Sequence, residues 1–553
     1  MRKILISTSI ALSCLMLLNT LNTYACTNLL VTKGATVDGS TMLTYTADAN
    51  GFMEPIHFHA GGKQDTTVMI RIYEWDSGKF LGEIKQVPET FRVVGNMNEH
   101  QLTVGETTFG GRDELKDTNG IMDYGSLIYL ALQRAKTARE AIKVITDLVA
   151  EYGYYSGGET FSFVDPNEVW MMEMISKGPH EKGAVWVARR IPDGYIAVHA
   201  NKARITNIIH NDPENCLYSP DVIDFAIRMG YYNPNSGKPF SFEAAYDPAT
   251  PSSLFACEGR VWSIYRRAAP SQNFSPDYFR AVRGAEPYPL YIKPDNKLSV
   301  QDVFNLMRDH FQGTEFDMTK GIAAGPFGNP YRWRPLRWKI TGDTTQYAWE
   351  RPISTQQTAW SFVAQMRSHM PREVGGVLWY GVDDTYTTVY VPLYSNITSP
   401  PPAFLNADVA RFDFNSAIWI FNLVANKAYN MYSHIVPDIQ AEQFRLENSF
   451  LLQQEPIENA AMGILRQDRD LAIEFLTNYS HGLTAKMMSS WTTLWENLVM
   501  KYNDRLINDV HMNLGRTPVH PGYGDEFLRH VIRERPGYYE MRWREPVKSK
   551  RRR

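Results

Sequence analysis

The chain has 553 residues, of which 44% are hydrophobic and 12% aromatic, and its formal net charge is −3. This composition is typical of a large globular protein and excludes an intrinsically disordered chain. The near-neutral charge argues against a nucleic-acid partner. No segment after the N-terminus reaches the 18 or so apolar residues that a membrane-spanning helix requires.

The first residues, 1–25, have the pattern of a secretory signal peptide. A basic start precedes an apolar segment at 4–18, and Thr23 and Ala25 supply the small residues before a cleavage site. We therefore predict cleavage after Ala25 and export to the periplasm or the extracellular space. The mature chain would begin at Cys26.

A cysteine at a new chain end carries a nucleophile and a base on one residue. The α-amine, with a pKa of about 7.7–8.0, accepts the proton of a thiol whose pKa is about 8.5. The uncut chain has an amide at this position, so activity would be switched on by processing. Other interpretations stay open at this point: Cys26 is the lipidated residue of a lipoprotein, half of a disulfide, or there by chance.

The first hundred mature residues predict β-structure. Strands are expected at 27–32 and 41–46 around an Asp38-Gly39 turn, then at 67–75, 91–95 and 102–107. Helices follow at 125–135 and, after a capping box from Thr137 to Glu140, from residue 141. Strands resume at 159–165, 169–175, 184–190 and 195–200. This order favours a layered α+β sandwich over a doubly wound parallel sheet.

The second half is predicted to contain long ordered loops, a return to strands and then helices. Residues 212–345 are rich in Pro, Tyr, Trp, Arg and Gly, 375–391 are β-prone, and the chain is helical from Asn415 to about 510. The basic run at 548–553 is typical of a solvated end. Without a clear linker, one unit with a helical C-terminal part is preferred.

Three cysteines remain after the predicted cleavage, namely Cys26, Cys216 and Cys257. An odd number leaves at least one thiol free or paired with another molecule. A bridge between Cys216 and Cys257 would leave Cys26 free, and two free buried cysteines fit equally well.

An N-terminal nucleophile needs an acid beside its amine and donors for the oxyanion. The predicted hairpin brings Asp48 back beside Cys26, Asn201 ends the strand at 195–200, and Arg260 is a further candidate. Each has an ordinary alternative, as a loop aspartate, a turn residue or a surface arginine. The sequence lacks Gly-x-Ser-x-Gly, Walker and His-Glu-x-x-His motifs, and the pair His57 and His59 is more typical of packing than of a metal site.

Several sequence blocks resemble one family of proteins. They are Cys26-Thr27 and residues 37–41, 96–100, 105–112, 182–189, 198–205, 321–328 and 375–384. The chain resembles the secreted dipeptidases among the N-terminal nucleophile hydrolases, a group that includes dipeptidase A-like enzymes and the secernins. The resemblance covers residues 26 to about 432.

This resemblance implies a four-layer αββα sandwich, which we place at 26–410. The helical periodicity described above predicts a helical region packed on it at 411–553. The resemblance also implies hydrolysis of dipeptides without metal or other cofactor. Cys26 matches the nucleophile, Asp48 the acid that orients it, Asn201 the oxyanion donor and Arg260 the active-site arginine, with Arg266 and Arg267 as rivals.

The chain departs from the family's pattern in two places. Relatives commonly have Arg-Asn before the acid, where this chain has Tyr45-Thr46, so an arginine beside the thiol is missing. Thr108 stands where the related acylases place a second oxyanion asparagine. A dipeptidase must also bind both ends of its substrate, and Glu106 and Arg112 are candidates by chemistry, for the ammonium and the carboxylate.

Three other functions stay open. They are an acylase of the penicillin V or bile-salt type, a non-catalytic lipoprotein or binding protein anchored through Cys26, and an exported scaffold with a degenerate site. The expected partners are dipeptide substrates, with neither nucleic acid nor a membrane span, and the oligomeric state is open, including a homo-oligomer.

Overall fold

The computed structural model describes residues 25–49, 53–508 and 518–543. The predicted signal peptide, apart from Ala25, and the predicted basic tail at 548–553 lie outside these residues.

Two antiparallel sheets form the centre of the molecule. The first contains, from edge to edge, the strands β16 (Tyr291–Ile292), β14 (Ile196–His199), β1 (Ala25–Val31), β2 (Thr41–Asp48), β19 (Trp360–Met366), β20 (Val377–Val382) and β21 (Val391–Tyr394). The second contains β15 (Cys216–Tyr218), β13 (Ala184–Arg190), β12 (Val169–Ser176), β11 (Gly158–Val164), β10 (Thr103–Gly110), β9 (Met97–Asn98), β8 (Val93–Val94) and β3 (Phe58–His59). Short strand pairs join β4 (Gly62–Lys63) to β7 (Glu89–Thr90), β5 (Met69–Tyr73) to β6 (Phe80–Lys85), and β17 (Arg337–Trp338) to β18 (Tyr347–Ala348).

The two sheets pack face to face through their central strands. Strands β1 and β2 of the first sheet contact β10 and β11 of the second. Every described side chain of β1 and β2 is buried, which explains their near-continuous apolar and threonine-rich sequence. The N-terminal strand therefore lies in the centre of the core.

Helices cover both outer surfaces. They are α1 (Tyr124–Arg134), α2 (Ala138–Tyr152), α3 (Val222–Arg228), α4 (Phe242–Tyr246), α5 (Gly259–Ala268), α6 (Val300–Met307), α7 (Arg372–Gly375), α8 (Pro402–Leu405), α9 (Ala417–Ala428), α10 (Tyr432–Leu465), α11 (Arg469–Lys501) and α12 (Asp525–Glu534). Helices α1 and α2 pack on β10 to β13, whereas α5, α6 and α9 to α11 pack on strands of the first sheet.

The capping box predicted at Thr137 does begin a helix. The Thr137 side chain accepts a hydrogen bond from the Glu140 N–H, and Ile142, Ile145 and Val149 bury one face of α2. Within the described residues, no helix is both long and apolar enough to cross a bilayer.

The mixed α and β architecture with antiparallel sheets agrees with the sequence prediction. The sequence analysis missed one central strand. Strand β19 (Trp360–Met366) lies beside β2, and no strand was expected at these residues. The predicted strand at 67–75 is shorter, and it pairs with β6 outside the two main sheets. The boundaries at 26–410 and 411–553 stay a prediction.

Candidate active site

The predicted site residues converge at the beginning of β1. Cys26 is 2% exposed, and its backbone N–H donates to Asn201 Oδ1 at 3.0 Å. Its carbonyl oxygen accepts from Arg260 Nη1 at 2.7 Å. The structure therefore brings Cys26, Asn201 and Arg260 together from β1, the end of β14 and helix α5.

Arg260 is fully buried and binds only protein atoms. A guanidinium has five N–H donors, and each of these has an acceptor. The acceptors are oxygens of Ala256, Cys26, Thr27, Ala200 and Asn201. Arg260 therefore holds the start of β1 and the Asn201 loop in place and has no donor left for a ligand.

Asn201 adopts the left-handed backbone conformation, with φ of 61°, directly after β14. Asparagine tolerates this conformation better than most residues. Its neighbours fix the loop through ion pairs that join Lys202 to Glu243 and Arg204 to Glu258. The Asn201 Nδ2 atom donates to the Thr108 carbonyl at 2.9 Å, which leaves its second N–H for an oxyanion.

Asp48 lies at the end of β2, opposite Ala25 in the strand register. Its Oδ1 accepts from Thr358 Oγ1 at 2.7 Å, whereas its buried Oδ2 has no hydrogen-bond partner among the described residues. Burial raises the pKa of Asp48 to about 7, against the opposing effects of Arg351 and Thr358. The carboxyl group is thus positioned beside the point of predicted cleavage.

The Cys26 thiol contacts two polar side chains. Its sulfur lies 3.8 Å from the Tyr45 hydroxyl and 3.7 Å from Glu106 Oε1. Burial, followed by the charges of Glu106 and Asp48, raises the pKa of the Cys26 thiol well above its usual value. The side chain at the position of the missing arginine, Tyr45, therefore still reaches the sulfur, but as a neutral group.

The two predicted substrate-binding residues have different surroundings. Glu106 is 1% exposed and lies at the sulfur. Arg112 donates to the Ala245 carbonyl at 2.6 Å and stacks on the Tyr231 ring at 3.9 Å. The contacts of Arg112 are outside the cluster around Cys26, and its substrate-binding role stays a prediction.

A chain of two aromatic rings, Tyr45 and Trp360, connects the thiol to a small cavity. The Tyr45 ring packs edge-on against Trp360 at 5.1 Å, and Trp360 lines a cavity of about 120 Å³. Glu54 and Trp75 also line this cavity, and burial together with the charge of Asp76 raises the pKa of Glu54 to about 7. The cavity thus has aromatic walls and an acidic group.

Sequence reasoning missed two charged residues of this region. Glu159, on β11, is a buried carboxyl beside Glu106. Arg351 follows β18 in a loop, and its buried Nη2 has no hydrogen-bond partner among the described residues. Burial and the charge of Arg260 lower the pKa of Arg351 to about 10, while Asp48 opposes this shift. The position of Glu159 beside Glu106 depends on the register of β10 and β11, which local sequence patterns do not predict. No sequence motif includes Arg351.

The other residues considered as candidates have structural surroundings. His57 stacks on Tyr129 at 3.7 Å, and His59 is 2.8 Å from the Thr90 hydroxyl. No group of three or more potential metal ligands occurs within the described ranges. Cys216 and Cys257 are both buried and free, so the alternative without a bridge is the one observed.

Comparison with known proteins gives a family. A model described as peptidase family C69 matches residues 64–445, which is more than half of the chain. The chain belongs to peptidase family C69. The match begins after Cys26 and Asp48, so the roles of these two residues rest on the geometry and on the resemblance of the N-terminal block.

Curated relatives of this C69 peptidase cover most of its length. A probable dipeptidase of Latilactobacillus sakei is 25% identical and covers 86% of this chain and 95% of its own. A probable dipeptidase of Salmonella dublin is 26% identical, with 70% and 84% covered. Dipeptidase A of Lactobacillus helveticus is 24% identical, with 74% and 84% covered. The letter C of the family designation stands for cysteine peptidases, which agrees with a central role for a cysteine.

Proposed function

We propose that this C69 peptidase is an exported dipeptidase whose nucleophile is Cys26, uncovered by cleavage after Ala25. The proposal is supported by the convergence of Cys26, Asp48, Asn201 and Arg260, by the family and by the relatives named dipeptidases. We further propose that its two packed sheets and outer helices at 26–410 form the αββα sandwich of N-terminal nucleophile hydrolases, with 411–553 as a helical addition.

The observation that carries the proposal is the unpartnered oxygen of Asp48. Ala25 pairs with Asp48 in the register of β1 and β2. Cleavage after Ala25 would place a new α-ammonium beside the buried Oδ2 atom, which lacks a donor among the described residues. An ammonium there would lower the pKa of Asp48, and the carboxylate in turn would orient the amine.

The mechanism then follows from the geometry. The α-amine of Cys26 takes the thiol proton, and the sulfur attacks the substrate carbonyl to form a tetrahedral oxyanion. The remaining N–H of Asn201 stabilises this oxyanion. The ammonium returns a proton to the leaving amino acid, and a thioester remains on Cys26. Water, deprotonated by the amine, attacks the thioester and releases the second product and the thiol.

The raised pKa of the thiol explains why the amine is needed. In the chain with Ala25 attached, the Cys26 nitrogen is an amide that donates to Asn201 and cannot act as a base. The carboxylates near the sulfur disfavour a thiolate. In the chain that starts at Cys26, the α-amine of Cys26 is therefore the proton acceptor that the uncut chain lacks.

The test compares three forms of the protein on Ala-Ala and related dipeptides. The form that starts at Cys26 is expected to hydrolyse them, and Cys26→Ala in this form is expected to lower kcat at least about 10³-fold. A form that retains Ala25 is expected to be equally inactive although folded. Cys216→Ala serves as the matched control, since Cys216 is a buried thiol on the edge strand β15, and this variant is expected to keep its activity.

Three results would contradict the proposal. Full activity of the form that retains Ala25 would exclude the amine as base. A lipid increment on Cys26 in the intact mass of the exported protein would remove both thiol and free amine, and it would favour the lipoprotein alternative. Hydrolysis of acyl-amino acids but not of dipeptides would instead favour an acylase.

A further inference from the structure

Two buried carboxyl groups lie side by side on neighbouring strands behind the thiol. Glu106 on β10 and Glu159 on β11 are 1% and 0% exposed. Thr108 pairs with Glu159 in the register, so Glu106 and Glu159 are diagonal neighbours on one face of the sheet. A buried pair of this kind requires either a shared proton or a cation.

Apart from a hydrogen bond between the two carboxyls, the contacts of the pair involve only one oxygen of each group. Glu106 Oε1 accepts from the Tyr45 hydroxyl, and Glu159 Oε1 accepts from Thr108 Oγ1 at 2.7 Å. No other donor among the described residues reaches the buried Oε2 atom of either group. No lysine or arginine of the described chain forms an ion pair with either carboxyl.

The electrostatics of the pair follow from these contacts. Burial raises the pKa of Glu106, and burial together with the charge of Glu106 raises the pKa of Glu159 well above its usual value. Because a charge on one carboxyl disfavours a charge on the other, the pair resists carrying two negative charges at once. A negative charge on Glu106 lies beside the Cys26 sulfur and, together with burial, disfavours a thiolate.

The position of the pair suits a small cation that belongs to the substrate. Glu106 Oε1 is 3.7 Å from the Cys26 sulfur. In a peptide, the α-nitrogen and the carbonyl carbon of the first residue are about 2.5 Å apart. An α-ammonium bound at the carboxyl pair would therefore bring the first carbonyl carbon of the peptide within reach of the sulfur.

We propose that Glu106 and Glu159 together bind the α-ammonium of the substrate, and that this cation offsets the negative charge beside the Cys26 thiol. The inference rests on the proposed dipeptidase function and goes further, because it makes the free amino terminus of the substrate necessary for binding and for activating the nucleophile. The substrate class is thus peptides with a free amino terminus, cleaved at the first bond.

The first experiment compares Ala-Ala with N-acetyl-Ala-Ala in the form of the protein that starts at Cys26. The unmodified enzyme is expected to prefer the free dipeptide in kcat/KM by at least about 100-fold. Glu106→Gln and Glu159→Gln keep the size of the side chains, and each is expected to lower kcat/KM for Ala-Ala by about 10- to 100-fold, as for loss of a charge-assisted hydrogen bond. Hydrolysis of the acetylated peptide is not expected to fall, so the preference shrinks.

The second experiment measures alkylation of the Cys26 thiol by iodoacetamide without substrate at pH 7. Glu106→Gln removes the negative charge beside the sulfur, and its alkylation is expected to be several-fold faster than that of the unmodified protein. Because local unfolding would also expose the buried Cys26 thiol, the result counts only if Glu106→Gln melts at the temperature of the unmodified protein. Glu159 lies on the neighbouring strand and forms no hydrogen bond with the sulfur among the described contacts, so Glu159→Gln is expected to give a smaller increase.

The outcomes separate this inference from the proposed function. Equal kcat/KM for the free and the acetylated dipeptide, or an unchanged preference in both variants, would overturn the ammonium site while the dipeptidase function stands. Absence of dipeptide hydrolysis by the unmodified protein would instead overturn the proposed function and the inference with it.

Discussion

Two regions of this molecule that bury charged side chains differ in how those charges are paired. Where α10 packs on the first sheet, Arg367 binds Glu458 through two hydrogen bonds of 2.6 and 2.7 Å, and Glu458 also accepts from the Tyr394 hydroxyl. Around Cys26, by contrast, Asp48 Oδ2 and Arg351 Nη2 are buried without hydrogen-bond partners among the described residues.

The difference separates structural charges from functional ones. A buried ion pair whose hydrogen bonds are all made fixes the position of a helix, and it resists removal of one partner. A buried polar atom without a partner is unfavourable for the protein alone, so it is retained where another group completes it. On this argument the Arg367–Glu458 pair is complete, whereas Asp48 and Arg351 beside Cys26 each have an atom that a chain end or a ligand could bind.

The largest expected effect concerns the complete region. Glu458→Gln leaves Arg367 as an uncompensated buried charge, and we expect the free energy of unfolding to fall by about 3–5 kcal/mol. The measurement is urea denaturation. Glu442→Gln, which removes the partner of the partly exposed Arg445, is the control and is expected to cost less than about 1 kcal/mol. Equal losses in both variants would remove the distinction between the two regions.

The second effect concerns Asp48 in the form that starts at Cys26. Asp48→Asn removes the charge beside the new amine, and we expect kcat/KM to fall by about 10²-fold or more. In the form that retains Ala25, which has no ammonium beside Asp48, stability at pH 8 is expected to hold or rise in Asp48→Asn, because a carboxyl whose pKa is raised by burial opposes folding once it is ionised. If Asp48→Asn lowered the melting temperature as well as the activity, the role of Asp48 would be to stabilise the fold and not to orient the amine.

The smallest effect is a shift of the pH profile. Arg351 lowers the pKa of Asp48, so Arg351→Met is expected to raise it and to move the acid limb of kcat/KM to higher pH by about one unit. Arg351→Lys keeps the positive charge and is the matched control, with a smaller shift. An acid limb that stays in place in Arg351→Met would mean that Asp48 does not control this limb.

Local patterns predicted the parts of the site that lie on regular strands. The turn at Asp38-Gly39 indicated that β1 and β2 are neighbours, and the register then places Asp48 opposite Ala25. Asn201 was predicted because it ends a strand. Both predictions depend on contacts that strand pairing fixes.

The remaining residues depend on contacts that no local pattern encodes. Glu159 meets Glu106 only because β10 and β11 pair with a particular register. Arg351 reaches the site from a loop, where side-chain direction does not follow a period. Strand β19 was missed because its run is buried on both faces and lacks the alternation typical of a half-exposed strand.

The five hydrogen bonds of Arg260 have a consequence for how such an enzyme would be regulated. They hold the backbone of Cys26 and the Asn201 loop while Ala25 is still attached. If processing uncovers the amine, the zymogen is already assembled, and maturation alters protonation chemistry with little refolding. The appearance of active enzyme would then be limited by the processing protease and by no later folding step.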